Sequence, residues 1–239
     1  IMPFLEKTVD SEISGNVIDL CPVGALTSKP FRYSARPWEL SRRKSVSPHD
    51  GLGANLIVQV KQNRVMRVLP LENDEINECW LADRDRFSYE ALNSAERLTQ
   101  PKIKQGGQWV STDWQTALDY VAKGLQGVIA DHGADAVGVL ATPHSTVEEL
   151  FLAKQLATGL GVHSTDYRTR RADFSRDTAQ AGALWLGGRI EDLAAAKAVL
   201  MIGANLRKEQ PLLAARLRQS VKKGTALSVI GLANDALLM

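Results

Sequence analysis

"AKAVLMIGANLRKEQPLLAARLRQSVKKGTALSVIG", residues 196–231, decides the fold. Two short apolar runs, "AVLMI" and "ALSVI", flank a segment that Pro211 can open as a helix and Gly224 can stop. Inside it Leu213, Leu217 and Val221 recur along one helical face. Strand, helix and strand in that order make a crossover, and a helical crossover returns the chain so that the two strands run parallel. The alternation extends toward the N-terminus. Thr112 or Asp113 can cap a helix carrying Trp114, Leu118, Val121, Leu125 and Ile129 at helical spacing. "DAVGVLA" (135–141) is a short, valine-rich strand. Thr146 and Glu149 form a capping box for "VEELFLAKQLATG", which Gly159 or Gly161 can end. The expected class is α/β: a doubly wound, mainly parallel sheet with its strands buried between helices.

The first hundred residues have another character. Pro22, Pro30 and Pro37 break residues 1–40 into irregular chain with a short helix around "GNVIDL". "NLIVQV" (55–60) and "RVMRVL" (64–69) alternate with a period near two on either side of "KQN", which predicts a hairpin. "DRDRFSYEAL" (83–92) is a short helical turn before a loop. These shifts divide the chain into an irregular region (1–40), a β-rich region (41–100) and the α/β region (101–239). Both ends look cut, with Ile1 in first place and "NDALLM" following the last strand.

Bulk properties narrow the function. With 44% hydrophobic and 23% charged residues the chain is globular in type, and a net charge of +2 does not suit a polyanion binder. The basic runs at Arg42, Arg43 and Lys44 and at Lys222 and Lys223 read as solvated faces, so no nucleic-acid partner is expected. Two cysteines cannot build a disulfide framework and fit a reducing compartment. No apolar run reaches the roughly 18–20 residues a membrane span needs, so no direct membrane insertion is expected.

One of those cysteines stands in a distinctive place. In "NVIDLCPVGALTSKP" (16–30), Cys21 precedes Pro22, and a Cys-Pro pair commonly closes a ferredoxin-type ligand set because proline fixes the backbone beside the thiolate. "GNVIDLCPVGALTSKP", the following "ARPWEL" and "NECWLADRDRFSYEAL" further on resemble the large iron–sulfur subunit of NADH:quinone oxidoreductase, respiratory complex I. The resemblance implies that Cys21 is the fourth ligand of a [4Fe–4S] cluster whose other three cysteines lie in a C-x-x-C-x-x-C run upstream of Ile1. It implies electron relay from NADH and flavin toward quinone. The expected partners are the other peripheral-arm subunits, including the flavin-bearing one that binds NADH. The expected location is the cytoplasmic side of a bacterial inner membrane.

The later part is similar to molybdopterin oxidoreductases. Members with a cluster there carry C-P-x-C-G-x-G-C and then C-x-R-G-R-F, whereas this chain reads "SPHDGLGANL" and "ADRDRF". The resemblance puts Ser47, Asp50, Ala54 and Ala82 where the four cysteines would be, so a second cluster is expected to be lost. It also implies an α/β scaffold without molybdenum. His49, Asp50 and Cys79 as a substitute metal site is a weak signal; polar loop residues and a packed cysteine are the expected reading.

Other features point less sharply to function. "GAN" (203–205) follows a strand, where a glycine can admit a phosphate, but it matches no nucleotide-binding motif. "WLGGRIED" reads as a turn before a helix. His132, His144 and His163 read as surface or capping residues. Asp166, Arg168, Arg170 and Arg171 form a charged cluster open to subunit docking or to ion pairing. Two rival functions remain: part of a formate-dehydrogenase-like molybdopterin enzyme, and a purely structural docking module.

Overall fold

The structure, a computed structural model, describes residues 9–168 and 185–231 together with 173, 175 and 182. In chain order its elements begin with α1 (Asn16–Leu20), β1 (Ser41–Val46), β2 (Asn55–Lys61), β3 (Arg64–Pro70) and α2 (Asp83–Phe87). They continue with β4 (Lys102–Gln105), β5 (Gln108–Ser111), α3 (Trp114–His132), β6 (Gly138–Leu140), α4 (Val147–Gly159) and β7 (Ser164–Asp166). The last are β8 (Ala198–Ile202), α5 (Leu206–Glu209), α6 (Pro211–Lys222) and β9 (Ala226–Ile230). Residues 1–95 and 184–239 make one compact unit, and residues 96–183 make a second.

In the first unit β1, β2 and β3 form an antiparallel meander in that order. Gln62 and Asn63 join β2 to β3 with φ of 48° and 59°, the left-handed pair that matches hairpin twist. The basic run at 42–44, expected to be a solvated face, is also a strand, and the two descriptions agree. All six residues of β1 are exposed, because it is the edge strand, where basic side chains discourage pairing with another chain. Leu56 and Val68 on the meander pack with Leu81, which is fully buried, and with Tyr89 after α2. A second cluster joins Leu52, Ala54 and Ala82 to Leu212 of α6, with Ile13, Ile76 and Trp80 against it.

The same unit carries the parallel crossover. β8 and β9 pair in parallel from Ala198↔Ala226 to Ile202↔Ile230, and α6 joins them with Pro211 at its first turn. Gly224 ends that helix at φ 110°, a conformation glycine adopts without strain. The buried side chains of α6 include Leu212, Ala214 and Leu217, so Leu212 rather than Leu213 or Val221 accompanies Leu217 into the core.

In the second unit β4 and β5 form a hairpin over Gly106 and Gly107, an element that does not figure among those expected from the sequence. Asp113, not Thr112, caps α3, its carboxylate accepting from the Thr116 amide at 2.9 Å. The capping box of α4 is formed by Thr146 and Glu149, and Gly161 takes the left-handed conformation beyond it. β6 pairs in parallel with β7, a strand that escapes sequence reasoning because "STD" carries no apolar signal.

The α/β alternation is therefore present, as two-stranded parallel pairs. The expectation that their strands are buried needs correcting. Leu140, Leu200, Ile202, Val229 and Ile230 are exposed, as are Trp114, Leu118 and Val121 on α3. Among the described residues each pair has two strands, so much of its surface has no layer against it.

Candidate functional site

Cys21 lies at the end of α1, where φ −85° and ψ 98° turn the chain out of the helix. The Gly24 amide donates to the Cys21 carbonyl at 3.3 Å, and Gly24 sits at φ 68° with open space around it. The N–H groups of Leu26 first, then Ala25, Val23 and Gly24, hold the thiol below its usual range by favouring the thiolate; partial desolvation opposes them. Pro22 has no N–H to offer, so the first amide after Cys21 is that of Val23. The sulfur is half-buried, and Leu20 and Val23 on either side are largely exposed. A partly accessible thiol in a Cys-Pro turn at the end of a short helix suits a metal-cluster ligand.

Beneath α1 lies a buried polar lattice. The Asn16 side chain donates to Ile13 O and Leu81 O, both at 2.8 Å, and accepts from the Leu81 amide at 3.0 Å and Arg86 Nη2 at 3.2 Å. Arg86 is itself buried and also reaches Asp19. Asp83 accepts from the Gly15 amide and the Ser14 hydroxyl, both at 2.6 Å. A Cβ at Gly15 would stand 2.8 Å from Arg86 Cδ and from Asp83 Oδ1, so a larger residue there would displace these side chains.

Ser47, Asp50, Ala54 and Ala82, which the resemblance sets against cluster cysteines, carry no thiol, and the structure shows how each is engaged. Ser47, Ala54 and Ala82 are buried, and the Ser47 amide donates to Ala54 O at 2.8 Å. Ala54 and Ala82 belong to one apolar cluster. Ser47 Oγ donates to Asp85 Oδ1 at 2.6 Å, and Asp50 pairs with Arg84 while accepting from the Leu52 amide at 2.9 Å. Arg84 also donates to the carbonyls of Lys208 and Glu209 at the end of α5. Two alanines offer no donor atom and Asp50 is committed to an arginine, so these residues do not fit an iron–sulfur cluster. Asp85 is nearly inaccessible, its Oδ2 has no hydrogen-bond partner among the described residues, and burial raises its pKa.

The remaining candidates separate. His49 Nε2 lies 2.8 Å from Ser88 Oγ and 3.9 Å from Asp85, while Cys79 is exposed rather than packed. No metal-holding group of three His, Cys, Asp or Glu residues occurs among the described residues. Around "GAN" the Gly203 amide donates to Ile230 O at 2.7 Å, and the Asn205 side chain caps α5. Those groups therefore serve strand pairing and helix capping. Asp166 accepts from the amides of Tyr167 and Arg168 and from Arg168 Nε. Arg170 and Arg171 lie outside the described residues. Sequence reasoning missed Asn16, Arg86 and Asp85; a buried polar lattice leaves no periodicity to read, although "NVID" and "DRDRF" both lie inside the motifs that carry the resemblance. No described helix is long and apolar enough to cross a membrane.

Comparison with known proteins places these features. The molybdopterin oxidoreductase family model matches residues 97–237. The "NADH-ubiquinone oxidoreductase NDSU1/NuoG-like, 4Fe-4S domain" model matches 40–90, and the "NADH-quinone oxidoreductase subunit 3, ferredoxin-like domain" model matches 1–27. The chain is 40% identical over 225 residues to an NADH-quinone oxidoreductase subunit of Rickettsia felis, covering 94% of this chain and 32% of that protein. It is 37% identical to the NADH-ubiquinone oxidoreductase 75 kDa subunit of Reclinomonas americana, covering 94% and 33%. The mitochondrial NADH-ubiquinone oxidoreductase 78 kDa subunit of Neurospora crassa is also 37% identical, with 95% and 31% covered. The chain thus spans about a third of the length of these relatives. Among solved structures, acetylene hydratase from Pelobacter acetylenicus shares the fold, with a TM-score of 0.58 at 17% identity over 78% of this chain and 27% of that one.

Proposed function

Because the chain belongs to the molybdopterin oxidoreductase family and its relatives at 37–40% identity are subunits of NADH-quinone and NADH-ubiquinone oxidoreductases, we propose that it is a segment of an electron-relaying subunit in which Cys21 supplies one thiolate to a [4Fe–4S] cluster. The Cys21–Pro22 turn at the end of α1, in the segment matched by a ferredoxin-like model, carries this reading. Four thiolates hold such a cluster, so three more ligands come from residues outside this chain. When bound, the cluster supplies a site that accepts and releases one electron. The chain's own part is to hold the sulfur at the end of α1 and to leave it partly accessible.

In this reading residues 1–40 close the ferredoxin-type region, 41–100 are the remnant of a second cluster domain, and 101–239 open an α/β scaffold. Electrons enter from NADH through a flavin-bearing neighbour and leave toward quinone. The subunit works in the peripheral arm, on the cytoplasmic side of a bacterial inner membrane. The absence of thiolates at Ser47, Asp50, Ala54 and Ala82 favours a scaffold role for the later regions.

The test is iron and acid-labile sulfide analysis, with EPR after anaerobic reduction, on the full-length polypeptide and its Cys21→Ala variant. Loss of one [4Fe–4S] signal in the variant is the expected result. A complete set of clusters in Cys21→Ala would overturn the assignment.

A further inference from the structure

α1 has five residues, too few to be stable alone, and Gly15 at its N-terminus provides no side-chain cap. Packing does little to hold it. Val17 and Leu20 line a cavity of about 540 Å³ on one side, and Ile18 and Asp19 line another of about 300 Å³ on the other. What ties the helix down is polar. The Asn16 amide pairs with both the N–H and the C=O of Leu81, as a neighbouring strand would, and Leu81 is the most deeply buried large side chain of that unit. Arg86 joins Asn16 to Asp19, spanning the helix from its first residue to two residues before Cys21.

We propose that Asn16 and Arg86 are positioning residues for the Cys21 thiolate. The 40–90 region, which has no cysteine at its own former ligand positions, acts as the post on which the ligand-bearing turn of the neighbouring cluster is set. The proposal rests on the reading of Cys21 as a cluster ligand. In a helix of little more than one turn, releasing either end moves Cys21, and with it the sulfur that would meet the cluster. Residues that orient a metal ligand typically change metal retention by roughly 10- to 100-fold when removed.

The experiment uses the full-length polypeptide, purified anaerobically, with Asn16→Ala, Arg86→Gln, Arg86→Lys, Asp19→Asn and Leu81→Ala. Three quantities are read: cluster loss under chelator, EPR g-values of the reduced cluster, and thermal unfolding. Asn16→Ala and Arg86→Gln are expected to lose the cluster about 10- to 100-fold faster with altered g-values. Arg86→Lys, which keeps the charge but not the forked donor, falls between. Leu81→Ala removes core packing but no backbone bond to Asn16, so it unfolds earlier while its spectrum stays unchanged. Wild-type spectra and loss rates in both Asn16→Ala and Arg86→Gln overturn the proposal. So does an equal spectral change in Leu81→Ala, which makes the effect one of general stability. Should Asn16→Ala fail to fold, Asp19→Asn, at the half-exposed end of the lattice, is decisive by the same criteria. Failure of the underlying reading shows separately, as an intact cluster in Cys21→Ala.

Discussion

Two segments of this chain match iron–sulfur domain models, and they have fared differently. Around residue 21 a thiol stays partly accessible in the turn that ends α1. Around residues 47–54 and 82 the thiols are absent, and their space is filled by two alanines, a serine bonded to a buried aspartate, and an aspartate bonded to an arginine. The first arrangement leaves a reactive atom partly open to its surroundings. The second satisfies most of its polar atoms internally and packs the rest. The contrast is between a turn that leaves a donor atom accessible and a region whose backbone is held by packing, hydrogen bonds and an ion pair.

The largest expected effect breaks the shared support of both regions. Leu81→Ala removes a fully buried side chain from the cluster with Leu56, Val68 and Tyr89, and should cost about 2–5 kcal/mol in urea unfolding. Gly15→Ala comes next. Its new methyl would meet Arg86 and Asp83, and about 1–3 kcal/mol of destabilisation is expected by the same assay. A neutral result there would mean that the lattice beneath α1 is loose.

Two further predictions sharpen the comparison through pH. Burial raises the pKa of Asp85, so its contribution is fully present below the unfolded value of 3.8 and is lost as pH rises through the higher folded value. Asp85→Asn should flatten that loss in unfolding curves taken across the range. Glu12 behaves in the opposite way. Burial alone would raise its pKa, but hydrogen bonds from Lys208 and Arg207 outweigh it and lower the value from 4.5 to about 2. Its stabilisation is present above pH 4.5 and is lost as pH falls toward 2. Glu12→Gln should remove that acid limb and cost about 1 kcal/mol or less at pH 7, since the pair is partly open to solvent. The smallest effect belongs to the exposed edge strand, where single alanine substitutions at Arg42, Arg43 or Lys44 should stay within about 0.5 kcal/mol.

Local signals are sufficient wherever the chemistry is short-range. The hairpin over residues 62 and 63, the caps at Asp113 and Thr146, the start of α6 at Pro211 and its stop at Gly224 each depend on a few neighbouring residues. The Cys-Pro turn and the absence of four cysteines are also legible, because residue type alone decides whether a donor atom exists. "STD" gives no sign of β7, since a three-residue polar strand has no pattern of its own.

Tertiary structure decided the rest. That Asn16 would bond across 65 residues to Leu81, that Arg86 would be buried between Asn16 and Asp19, and that Glu12 would meet Arg207 across 195 residues are matters of which distant segments come together. A buried polar group must find its partners wherever the fold supplies them, and that choice leaves no local trace. By itself the sequence determined most of the helices, the β2–β3 hairpin, the α/β alternation and the single thiol in its turn, but not β4, β5 or β7. Only the fold decided which buried groups brace that thiol, because bracing depends on distance in space rather than along the chain.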